Sequence, residues 1–103
     1  MTPTPPVSVA ILAYPETTAS VVYGMYDLFI AAGRDWGVVV DGQPGPALMQ
    51  PLIVSRHSGA FEAVNGVTIM PHVALDQAPV AEIVCVPEVA VPPEDPPGLK
   101  RQL

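Results

Sequence analysis

One thiol, two imidazoles and a few carboxylates carry most of the chemistry this sequence could do. Cys85 is the only cysteine. A nucleophilic thiolate needs a partly exposed, electropositive setting that lowers its pKa, whereas Cys85 stands among Ile83, Val84 and Val86. It reads as an inert core residue, and with no second cysteine it forms neither an internal disulfide nor a Cys-rich metal site. His57 and His72 are far apart and lack a third ligand at zinc spacing, so no metal site is expected. His57 is placed at a strand end and His72 on a loop. Glu16 and Glu88 are the candidate ligand-binding residues. Each follows an apolar run of strand length, and open α/β sheets bind ligands beyond the carboxyl ends of such strands. Gly42-Gln43-Pro44-Gly45-Pro46 has glycines, but its prolines remove amides and no lysine follows, so it cannot cradle phosphate. No cofactor is expected.

The elements that must position these residues follow from hydrophobic patterning. Val7 to Ala13 is an almost uninterrupted apolar run, the mark of a parallel strand buried on both faces. Tyr14-Pro15-Glu16 turns the chain, and Thr17 or Thr18 can cap a helix. In that helix Val22, Met25, Tyr26, Phe29 and Ile30 recur at helical spacing until Gly33. Asp27 on this helix either pairs with Arg34 or faces solvent. Residues 35–51 predict a short strand or helix extension followed by a loop, with Trp36 packed beneath residues 37–50. A second central strand is expected at Pro51–Ser55. Phe61–Val64 and Val67–Met70 flank Asn65-Gly66, predicting a β-hairpin with a two-residue loop. Val73–Gln77 predicts one helical turn, and Glu82–Pro87 a third buried strand. The fold class is therefore α/β with parallel central strands and a β-hairpin.

Residues 1–6 form a lead with no Lys or Arg, unlike a secretory signal. Residues 7–91 form the domain, and residues 92–103 a Pro-rich irregular tail. No apolar run approaches the roughly 20 residues a membrane span requires, and a reducing, cytoplasmic setting suits the single thiol. Ten acidic against four scattered basic residues give a net charge of −6, which excludes nucleic-acid binding through this segment.

The Tyr14-Pro15 turn, Gly24-Met25-Tyr26-Asp27-Leu28-Phe29 with Ala31-Ala32-Gly33, Asp41-Gly42, Asn65-Gly66 and Glu82 to Glu88 form an ordered set. It resembles the start of ThiJ/PfpI, class I glutamine-amidotransferase-like domains. More narrowly, it is similar to the N-terminal sensor domain of AraC-type transcriptional regulators. The resemblance implies a partial flavodoxin-like three-layer fold, with the family's nucleophile elbow on a strand beyond Leu103. It also implies an acidic residue six positions after the turn proline, where this chain has Val21, and Pro-Gly-Gly where this chain has Pro87-Glu88-Val89. Valine can neither bond nor protonate a thiol, so catalysis is not expected.

The function that follows is a non-catalytic sensor or oligomerisation segment of an AraC-like regulator, with a small-molecule effector near Glu16 and Glu88. The alternative is a fragment of a ThiJ/PfpI-type cysteine-dependent hydrolase, hydratase or glyoxalase-like enzyme. One long helix and at most one short one leave a sheet face uncovered, so the chain is expected to form a homo-oligomer or to associate with a missing C-terminal segment or another chain.

Overall fold

A computed structural model describes residues 5–90, so most of the N-terminal lead and the whole Pro-rich tail lie outside the described residues. The elements run β1 (Val7–Ala13), α1 (Ala19–Ala31), α2 (Arg34–Asp41), β2 (Met49–Ser55), β3 (Phe61–Glu62), β4 (Thr68–Ile69), β5 (Val73–Ala74), a 3-10 turn at Leu75–Gln77, and β6 (Ile83–Cys85). The fold is α/β, as the patterning predicts. Four parallel strands form one sheet in the order β5-β2-β1-β6, and β3 and β4 form a small antiparallel hairpin. Counted in chain order, the four parallel strands run 3-2-1-4, with β2 and β6 on either side of β1.

Strand β1 occupies the predicted residues and pairs with β2 along its whole length, from Val7 opposite Met49 to Ala13 opposite Ser55. Side chains alternate between faces. Val9, Ile11 and Ala13 point with Ile53 towards α1, where Ala19 and Val22 complete the core with Ala63 and Ile69 of the hairpin segment. Helix α1 ends as expected, with Gly33 in the left-handed region at φ 79°. Strand β2 begins at Met49, two residues before the expected start, so Pro51 lies inside a strand. Proline is tolerated there because Ile53 turns its N–H and C=O to His72, away from β1. Pro51, two residues earlier, points the same way, at a level where β5 offers no partner because it pairs only with Val54 and Ser55.

Residues 34–41 resolve into helix α2, the helix extension of the two options. Trp36 does not pack beneath the following loop; it is 71% exposed. The loop closes instead on Gly37, where an added Cβ would collide with the backbone of Gly45, and Gly45 N–H bonds to the Arg34 carbonyl at 3.0 Å. Asp27 is exposed, and Arg34 pairs with its neighbour Asp35 across 2.9 Å.

The hairpin forms where expected but with a three-residue loop, Val64-Asn65-Gly66, since Phe61 pairs with Ile69 and Ala63 N–H bonds to Val67 O. A two-residue loop would set Ile69 opposite Glu62 and Phe61 opposite Met70. The observed register keeps Phe61 and Ile69 together on the core side and leaves Glu62 and Thr68 exposed. Val64 is drawn out of the ladder, its N–H bonded to Thr17 O at 3.0 Å. Val73–Ala74 is a short strand, and the helical turn begins only at Leu75.

Strand β6 is not buried on both faces, contrary to the reading of Ile83–Val86: Ile83 and Val84 are exposed, and only Cys85 packs against the core. It pairs with β1 alone among the described residues. Among the described residues no helix is long and apolar enough to cross a membrane.

His72 lies in the bend before β5, on a loop as expected, and it does structural work there. Its Nδ1 accepts the N–H of buried Ile53 at 2.9 Å, its own N–H bonds to Ile53 O at 2.8 Å, and its ring stacks on Tyr26. His72→Ala strands a buried donor, so the expected loss is about 1–3 kcal/mol of stability. A lower urea midpoint, partly restored by His72→Asn, is the measurement that checks it.

Candidate functional site

The carboxyl ends of β1, β2 and β6 converge on the turn Tyr14-Pro15-Glu16-Thr17. Strands β2 and β6 leave β1 in opposite directions, so the β1–β6 boundary is the topological switch point where open α/β sheets hold ligands. The turn is rigidly tied. Thr17, fully buried, sends both its N–H (2.9 Å) and its hydroxyl (2.7 Å) to the Tyr14 carbonyl, while its own carbonyl accepts Val64 N–H. This leaves Thr18 as the helix cap residue, without a side-chain bond of its own. Tyr14 Oη donates to the Pro87 carbonyl at 2.6 Å, and Ala90 N–H bonds to the Glu16 carbonyl at 2.7 Å. The chain after β6 is thereby clamped beside the turn after β1.

A cavity of about 660 Å³ opens over this junction, within the size range of small-molecule sites. Its apolar wall includes Leu12, Val54, Phe61 and Val86. Tyr14, Glu16, Ser55, Arg56 and His57 supply the polar groups. Glu16, one of the two expected ligand residues, stands in this wall, and its Oε1 is buried with no hydrogen-bond partner among the described residues. Glu88, the other, lies at the same end of the sheet, but its Oε1 accepts Thr18 N–H at 3.2 Å, so its carboxylate sits at the start of α1 and outside the cavity lining. The two carboxylates therefore share a neighbourhood and not a role.

His57, expected at a strand end, lies just beyond β2 in the cavity wall. His72 is engaged with Ile53, as described above. Among the described residues no group of three or more His, Cys, Asp and Glu side chains is placed to hold a metal ion. Cys85 is half-buried against the α1 side of the sheet and is not part of the cavity wall. Val21 lies in the first turn of α1, half-buried, with its N–H bonded to Thr18 O.

Two site residues escaped the sequence reading. Arg56 directly follows the carboxyl end of β2, so the rule that singled out Glu16 and Glu88 also applies to it. Tyr14 was read only as part of a turn, yet its hydroxyl joins the ends of β1 and β6. Searches against known protein families, curated proteins and solved structures find no match to this chain.

The Tyr14 phenol is held above its ordinary pKa, first by burial and then by the negative charges of Glu88 and Glu16. The folded state thus holds this proton more tightly than the unfolded chain does. The associated stability is complete below the ordinary tyrosine value of about 10 and is lost as pH rises through the higher folded value. Tyr14→Phe is expected to cost about 0.5–1.5 kcal/mol near neutrality, through loss of the bond to Pro87. It should also flatten the decline in stability at alkaline pH. Urea midpoints measured across the neutral and alkaline range for both proteins test the pair of effects.

Proposed function

We propose that this chain is the non-catalytic sensor and self-association part of a cytoplasmic, AraC-like transcriptional regulator built on a ThiJ/PfpI-type domain. The observation that carries the effector-binding role is the cavity at the switch point with Glu16 in its wall, one oxygen of that carboxylate having no hydrogen-bond partner among the described residues. The ordered set of motifs from Tyr14 to Glu88 supports the domain type. Two features support sensing over catalysis. The position that carries an acid in the enzymes is Val21, and the segment after β6 reads Pro87-Glu88-Val89 in place of a glycine-rich oxyanion site. The half-buried thiol of Cys85 faces the core and not the cavity, which supports the same reading. With a net charge of −6, the segment leaves DNA contact to another part of the regulator.

A small-molecule library screened by NMR is expected to yield binders that shift signals of Leu12, Val54 and Phe61 and are recovered unchanged. Turnover of amide, isonitrile or methylglyoxal substrates that disappears in Cys85→Ser would instead establish a cysteine-dependent enzyme.

Self-association is proposed through the sheet face opposite α1. There Val84 is 57% and Val86 65% exposed. Apolar surface left exposed on a sheet face is a candidate interaction site on a protein. Light scattering is expected to report an oligomer that Val84→Lys shifts towards monomer. A monodisperse wild-type monomer that binds no hydrophobic dye would defeat the idea.

A further inference from the structure

The cavity holds two opposite charges that do not satisfy each other. Glu16 and Arg56 both stand in its wall, yet they form no ion pair; the one found among the described residues joins Arg34 to Asp35. One carboxylate oxygen of Glu16 is buried with no hydrogen-bond partner among the described residues, and Arg56 is exposed directly after the end of β2. A carboxylate held in a largely apolar wall without an ion-pair partner among the described residues is costly, and a ligand that brings a cation to its cavity side offsets that cost. Arginine is suited to bidentate recognition of a carboxylate. The same wall includes the apolar side chains of Leu12, Val54, Phe61 and Val86.

We infer that the ligand of this cavity is a small zwitterion with an apolar body, such as an aliphatic amino acid. Its ammonium group meets Glu16, its carboxylate meets Arg56, and its hydrocarbon lies against the β1–β2–β6 wall. This inference rests on the effector-binding role proposed above and specifies the chemistry of the effector. Neither group can be replaced by its neighbour: Glu88 is committed to Thr18 N–H, and the Tyr14 hydroxyl to the Pro87 carbonyl.

Four related probes separate the contributions: leucine, isoamylamine (ammonium only), isocaproate (carboxylate only) and isocaproamide (uncharged). Binding to the intact chain is read by NMR shifts of the cavity residues during titration. Leucine is expected to bind at least about tenfold more tightly than any of the other three, in line with two charge-assisted contacts. Glu16→Gln should weaken leucine and isoamylamine but not isocaproate, and Arg56→Gln should weaken leucine and isocaproate but not isoamylamine. The probe comparison in the unmodified protein does not depend on either variant folding. Isocaproamide binding as tightly as leucine would overturn the zwitterion while leaving effector binding intact. If none of the four probes moves a cavity signal, the zwitterion falls as well, and the library screen decides separately whether the cavity binds any effector.

Discussion

Thr17 is buried completely beside an apolar core, which is tolerable only because each of its polar groups is bonded. Its N–H and hydroxyl converge on the Tyr14 carbonyl, and its carbonyl receives Val64 N–H. These bonds fix the exit from β1, the entry to α1 and the docking of the hairpin in one place. The neighbouring residues extend the anchor: Tyr14 donates to the Pro87 carbonyl, the Glu16 carbonyl accepts Ala90 N–H, and Thr18 N–H donates to the Glu88 carboxylate. The hydrophobic core supplies most of the stabilisation, as it does in any small domain. This turn decides which pieces of chain that core brings together.

The sheet built around that anchor is apolar on both sides, because β1 is buried between two parallel neighbours. Helix α1 covers one side, and α2 packs against α1 without adding a buried residue. The other side keeps Val84 and Val86 exposed, and among the described residues no strand pairs with the outer edge of β6. The cavity lies on this less protected side. Its walls come from strand ends and the segments that follow them, so the site depends on the relative placement of β1, β2 and β6 more than on any single loop.

That placement also divides the work between the two glutamates. Both follow strands at the switch point, but the clamp through Tyr14 carries Glu88 to the helix start, where its charge suits the positive end of α1. Glu16, at the turn itself, is left with a buried oxygen that no described residue satisfies. A position in the fold identifies a neighbourhood for ligand binding; hydrogen-bond partners decide which residue there remains free to use.

The strands β1 and β2, helix α1 with its glycine stop, the hairpin site and the parallel α/β class were legible in the sequence, because each rests on local periodicity or turn chemistry. Glu16 was legible for the same reason, once the strand before it was recognised. The hairpin register was not legible, because Val64 surrenders its ladder bond to Thr17, more than forty positions earlier in the chain. The exposure of Trp36 follows from a Gly37–Gly45 backbone contact that no local pattern encodes. The structural role of His72 required the strand geometry that presents Ile53 N–H to it. The half-exposed state of β6 depends on its position at the sheet edge, which the apolar run Ile83–Val86 does not reveal. Sequence alone determined β1, β2, α1 and the hairpin site, since their patterns are set by neighbours a few residues away. Tertiary structure decided which polar groups are spent on one another and which, like the Glu16 oxygen, are left over, because that is settled only when distant segments compete for the same donors and acceptors.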